Sequence, residues 1–192
     1  MRGLLVLLVT LLLGGCVISS PQRAQYKEEY GNRQDIRTHT VYRFMTKPVR
    51  PSGEEYWGAA NLAEFFYVDD KNATRVELRF NYAANTVDVA SLDAQNTVLR
   101  KRTIVLLDES AAKPADTEDV YLTLTRDGEL TKKVRSCKPD MSVGCQWWNH
   151  KLFITRSGDL AVQYEKGGTG LIFLLVPAYG STEYLEIYPK VG

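Results

Sequence analysis

The strongest constraint on the fold is an alternation of apolar and polar residues that recurs along the chain after residue 38. In "RVELRFNY", residues 75–82, one face receives Val76, Leu78 and Phe80, and the other receives charged and polar side chains. Because successive side chains of a strand point to opposite faces, this pattern predicts a strand with one buried and one wet face. The same alternation recurs over residues 87–89, 120–124, 148–154, 160–164 and 185–187.

Turn-forming residues separate these runs, among them Asp127-Gly128 and Ser157-Gly158. Such dipeptides favour hairpin connections, so we expect a mainly β fold, an antiparallel meander of about 8–10 strands. Alternation alone does not decide whether the sheet forms a barrel, a half-barrel or a sandwich. The polar stretch 110–119 is expected to be a long loop between two halves of the meander.

One segment of a different character, residues 51–66, predicts a short helix near 54–66. Ser52 and Glu55 have the spacing of a capping box, and apolar residues from Tyr56 to Phe66 follow a helical stripe. Gly58 lowers helix stability, so a strand or an irregular loop remains the alternative.

The chain opens with a short apolar run from Leu4 to Leu13, preceded by Arg2. At about 1.5 Å per residue, this run reaches only about half of the roughly 30 Å hydrocarbon core of a bilayer. Its length is typical of a signal peptide rather than of a transmembrane helix.

The residues that follow, Leu13-Gly14-Gly15-Cys16, resemble the lipobox of bacterial lipoproteins. This resemblance implies that a diacylglycerol is attached to the Cys16 thiol, that the signal is cut before Cys16, and that the new amino terminus is acylated. Val17, in place of Asp as the second mature residue, implies sorting to the outer membrane in enteric-type bacteria. Two or three acyl chains would anchor the protein durably, with the domain expected to face the periplasm. We expect a signal peptide over 1–15, a lipidated polar tether over 16–38 and a single β-rich periplasmic domain over 39–192.

Charge and cysteine content limit the possible partners. Removal of residues 1–15 takes away one of the 24 basic residues and leaves 23 against 23 acidic ones, so nucleic acid is not an expected partner. Cys137 and Cys145 remain as an even pair, which predicts a disulfide in an oxidising compartment. A metal or redox pair is the alternative, but their spacing is unlike that of zinc or thioredoxin-like motifs.

No catalytic, metal-binding or cofactor motif is present in the sequence, so we expect a protein that is not an enzyme and has no cofactor. Trp147 and Trp148 should point to opposite faces of a strand, one ring in the core and one outside, which makes the pair a candidate contact for a partner protein or glycan. The triplet Arg100, Lys101 and Arg102 is a candidate contact for anionic groups, and a solvated strand edge is its alternative.

These observations leave two functional hypotheses. The first is an outer-membrane-anchored envelope lipoprotein that acts as a non-enzymatic binding or assembly module, with an envelope protein, lipid or glycan as its partner. The alternative is a periplasmic carrier that holds a lipid or small hydrophobic ligand in a β-barrel-like cavity. Side chains that fill the interior favour the first hypothesis, and a cavity favours the second.

The lipobox makes a prediction for Cys16→Ser. Without the thiol no diacylglycerol can be attached, so the precursor should stay uncut and take up no acyl label. Metabolic labelling with a radioactive fatty acid, followed by electrophoresis of the wild type and the variant, measures both effects. Normal processing of the variant would contradict the resemblance to lipoproteins.

Overall fold

The computed structural model describes residues 16–18, 23–49, 61–111, 121–137, 144–172 and 176–192. These residues form one mixed β-sheet of ten strands, curled into a half-barrel. The mainly β prediction is confirmed, and of the barrel, half-barrel and sandwich the half-barrel is present. The strands are β1 (Cys16–Ile18), β2 (Val41–Met45), β3 (Arg75–Asn81), β4 (Thr86–Leu92), β5 (Val98–Asp108), β6 (Tyr121–Leu124), β7 (Leu130–Ser136), β8 (Gly144–Ile154), β9 (Leu160–Ile172) and β10 (Val176–Tyr188). The described helices are α1 (Arg23–Gly31) and α2 (Leu62–Phe65), with a 3-10 turn at Ile36–Thr38.

Strands β2 to β10 lie side by side in chain order, as a meander requires. Their pairs are antiparallel except for β5 and β6, which run parallel, so the chain crosses over between them. The expected loop 110–119 lies at this crossover, although residues 112–120 are outside the described part. Alternation carries no information on strand direction, and for this reason the sequence predicts the strands without the parallel pair. The short β1 adds to the free edge of β10, also in parallel.

The two edges of the curled sheet meet at one end. Met45 N donates to Pro189 O at 2.9 Å, and Val191 N donates to Arg43 O at 2.9 Å. These bonds join β2 to the residues that follow β10 and hold the sheet in its curled form. Backbone groups that an open edge would expose are therefore paired at this end.

The concave side of the sheet is filled with apolar side chains. Leu78, Leu152 and Leu160 lie there with no solvent exposure, as their alternation predicts. Helix α2 covers one end of this core, and its first turn is capped by the Asn61 side chain, which accepts from Ala63 N at 2.9 Å. The predicted helix near 54–66 is thus present over its last residues, while residues 50–60 lie outside the described part.

Helix α1 packs on the convex side of the sheet. Tyr26 and Tyr30 stack with ring centroids 5.3 Å apart, and both rings meet the edge or face of buried Phe153, at 6.0 and 5.4 Å. Arg33 Nε lies 2.5 Å from Oε1 of the buried Glu129. Residues 23–38, which the sequence predicts to be part of a polar tether, are therefore packed on the sheet. Two tyrosines four residues apart lie on one face of the helix, and this face docks an otherwise polar helix on the sheet.

Four strands continue beyond this core. Strand β6 pairs with β7 only at Leu130 and Thr131, whereas β7 to β10 remain paired well past that point. We call the projecting part, residues 134–136, 144–148, 166–172 and 176–182, the strand extension. A disulfide between Cys137 and Cys145 joins β8 to the end of β7, which confirms the predicted bridge.

Candidate functional site

Trp147 and Trp148 lie on opposite faces of the strand extension. Trp147 is on the convex face, where its ring stacks on Tyr179 with centroids 5.4 Å apart. Trp148 is on the concave face, opposite Val134 and Lys166 in the strand register. The sequence predicts one ring in the core and one outside. The structure shows both residues half-buried, so the prediction of a core ring is wrong.

A glycine makes room for the Trp147 ring. A Cβ atom placed on Gly167, which is opposite Trp147 in the register, would come within 3 Å of three atoms of the indole ring. The ring thus occupies the space where a side chain of β9 would otherwise lie. Glycine weakens a strand, and an aromatic ring laid across it restores part of the lost packing.

The basic triplet is divided by the strand pleat. Lys101 Nζ lies 3.0 Å from Asp88 Oδ2, and Arg100 Nε lies 3.9 Å from Asp70 Oδ2. Arg102 instead lies over the ring of Tyr67, with its Cζ atom 5.3 Å from the ring centroid. The three cations therefore do not form one compact surface, because neighbouring residues of a strand point to opposite sides.

Arg102 belongs to a different constellation, which we call the Tyr67 cluster: Tyr67, Arg102 and Lys132. Lys132 Nζ lies 4.8 Å from the Tyr67 ring centroid and 3.2 Å from its hydroxyl oxygen. Two cations thus share one aromatic ring, an arrangement favoured by the charge distribution of the ring. Sequence reasoning missed this cluster because its members come from three distant parts of the chain.

Tyr67 follows helix α2 and is 47% exposed. Its φ of 57° lies in the left-handed region, which aromatic residues rarely adopt. Such a backbone costs about 1–3 kcal/mol and persists only where the surroundings hold it. The surrounding fold therefore fixes the backbone of Tyr67, whose ring contacts both cations.

A row of aromatic rings crosses β8, β9 and β10 on the concave face beside the cluster. The ring centroids of His150 and Tyr164 are 5.1 Å apart, and those of Tyr164 and Tyr184 are 4.9 Å apart. Burial, helped by the nearby positive charge of Lys132, lowers the pKa of His150 to about 4. Burial, helped by Glu186, raises the pKa of Tyr184 to about 12. The row is consequently uncharged at neutral pH.

A buried carboxylate lies behind this row. Glu186 is 4% exposed, and its Oε2 accepts a hydrogen bond of 2.5 Å from the Tyr188 hydroxyl. The Tyr164 and Tyr188 hydroxyl oxygens are 3.4 Å apart, and burial raises the pKa of both groups. Both tyrosines stay protonated at neutral pH, so they serve as hydrogen-bond donors in the interior.

The described residues leave one small space beneath α2. Between Phe65, Ile104 and Leu122, this cavity has a volume of about 10 Å³. A larger groove of about 470 Å³ lies on the convex side, beside Tyr30 and Lys151. Its lining includes acidic and basic residues together with three threonines, so it has no dominant charge.

The described residues contain no group of three histidines, cysteines or carboxylates arranged to hold a metal ion. Within the same ranges, no helix is long and apolar enough to cross a membrane. Comparisons of the chain with protein families, with curated proteins and with solved structures found no match.

The packing of Trp147 on Gly167 predicts different effects for two neighbouring substitutions. Gly167→Ala should lower the free energy of unfolding by about 1–3 kcal/mol, because the added methyl group displaces the indole ring. Gly168→Ala is the matched control, because a Cβ atom at this position would lie 3.5 Å from the carbonyl oxygen of Cys145, which is an ordinary van der Waals contact. Urea denaturation of both variants measures the difference, and equal destabilisation by the two would contradict the described packing.

Proposed function

We propose that this chain is an outer-membrane-anchored envelope lipoprotein that acts as a non-enzymatic binding module facing the periplasm. Its ligand, in this proposal, is a phosphate-bearing saccharide of the cell envelope. The Tyr67 cluster is the observation that carries the proposal, because it combines an exposed ring with two cations at fixed positions.

The chemistry of the cluster fits such a ligand. The guanidinium of Arg102 and the ammonium of Lys132 supply charge-assisted hydrogen bonds to phosphate oxygens. The apolar face of the Tyr67 ring suits the carbon-bound hydrogens of a sugar, and its hydroxyl supplies a polar contact. The adjacent His150 ring is neutral at pH 7, so it adds no further charge to the site.

The filled interior supports a binding module over a carrier. A pocket for a small hydrophobic ligand normally has a volume of about 300–1,000 Å³. The space of about 10 Å³ beneath α2 is far below this range. Fully buried aromatic side chains, among them Phe44, Phe66 and Tyr188, occupy the place where a carrier would hold its lipid.

Anchoring in this proposal depends on Cys16 and its resemblance to a lipobox cysteine. Cys16 begins strand β1 of the sheet and helix α1 packs on the same sheet, so the acylated residue would adjoin the folded domain with no long tether. A short connection keeps the binding module close to the inner leaflet of the outer membrane. The concentration of any envelope ligand at the site rises accordingly.

Binding of glucose 1-phosphate in solution tests the proposed ligand class, with glucose as the probe that lacks the anionic group. Arg102→Gln and Lys132→Gln should each weaken binding about tenfold, because each removes one charge-assisted hydrogen bond. Ligand-observed NMR titration measures the dissociation constants, and glucose should bind more weakly than its phosphate.

Arg79→Gln is the control, since Arg79 is an exposed cation of β3 that pairs with Glu77 at 2.8 Å, away from the Tyr67 cluster. It should leave the affinity unchanged. The proposal fails if Arg79→Gln weakens binding as much as the two cluster variants, or if the wild-type chain does not distinguish glucose 1-phosphate from glucose.

A further inference from the structure

We infer that the strand extension touches the membrane itself, with Trp147 and Tyr179 at the lipid–water interface. This inference rests on the anchoring proposed for Cys16, and it assigns to the folded domain a lipid contact of its own. Three features of the same end of the sheet support it: the backbone position of Cys16, the aromatic pair of Trp147 and Tyr179, and the charges of the strand extension.

The first feature is the register of β1. This strand runs parallel to β10, with Cys16 opposite Gly180 and Val17 opposite Ser181. The backbone of Cys16 therefore lies beside that of Gly180, the residue next to Tyr179. An anchor at this position holds the strand extension, rather than the opposite end of the half-barrel, at the bilayer surface.

The second feature is the aromatic pair. Tyr179 is 49% exposed, and it stacks on the half-buried Trp147 on the convex face of the extension. Tryptophan and tyrosine are enriched at the boundary between headgroups and acyl chains, because each has a large apolar ring and a polar group. The pair therefore has the chemistry of an interfacial contact at the height of the proposed anchor.

The charges of the strand extension suit the same partner. Among its described residues, Arg135 and Lys166 carry positive charge, and none carries a carboxylate. The nearest described acidic residues, Glu165 and Glu183, lie one step closer to the core. Basic residues close to a membrane surface are attracted to anionic headgroups.

Quenching by brominated lipids tests this contact on the acylated chain. The protein is reconstituted in phosphatidylcholine vesicles whose acyl chains carry bromine either near the headgroup or near the bilayer centre. Tryptophan emission should be quenched more strongly by the shallow bromines than by the deep ones. Most of this quenching should be lost in Trp147→Phe and retained in Trp148→Phe, because Trp148 faces the concave side.

Two exposed side chains supply the second comparison. Tyr179→Asp should reduce the quenching, whereas Val98→Asp, at an exposed position of β5 outside the strand extension, should not. Equal quenching in Trp147→Phe and Trp148→Phe, or no quenching of the wild type, would overturn the inference, and circular dichroism checks that each variant is folded.

A parallel assay separates this inference from the proposed function. The chain from residue 16 with Cys16→Ser carries no acyl group, and its flotation with phosphatidylcholine–phosphatidylglycerol vesicles measures the contact of the fold alone. We expect weak flotation that Tyr179→Asp abolishes. If mass spectrometry shows that Cys16 of the wild type is not acylated, the proposed anchor fails, and the flotation assay then decides whether the fold contacts the membrane. Flotation that is lost in Tyr179→Asp supports the membrane contact. The absence of flotation overturns it.

Discussion

The backbone hydrogen bonds between the two edges of the sheet are the constraint on which the remainder of the structure depends. Met45 pairs with Pro189 and Arg43 with Val191, so β2 meets the chain just after β10. With the edges joined at this end, the concave face encloses the apolar core. Strands β8 to β10 are longer than β2 to β4, and their ends project, with the end of β7, as the strand extension.

The sequence predicts the strands well and their arrangement less well. Alternation around Leu78 and Leu152 places both residues correctly in the core, and the even cysteine pair predicts the disulfide. Helix α1 was predicted only as part of a tether, because it docks through two tyrosines and shows no apolar stripe. The Tyr67 cluster could not be predicted, since it requires the parallel pairing of β5 with β6 and a left-handed tyrosine, neither of which leaves a local pattern.

The described fold presents two surfaces with different chemistry. The concave side combines the Tyr67 cluster with a row of rings that burial keeps neutral, so the cations there meet no opposing charge from the row. The convex side of the strand extension presents Trp147 and Tyr179. We propose that the first surface binds a phosphate-bearing saccharide and that the second contacts lipid. Both uses are compatible, because the two surfaces lie on opposite faces of the sheet.

We propose that binding takes place on the surface of the half-barrel, because apolar side chains fill its concave side. Native mass spectrometry of the chain, purified gently from the envelope of its own host, tests this most directly. We expect the mass of the chain with its covalent acyl groups and no lipid that dissociates on activation. One dissociable lipid per chain, retained after Tyr179→Asp, would show an internal ligand and contradict the account.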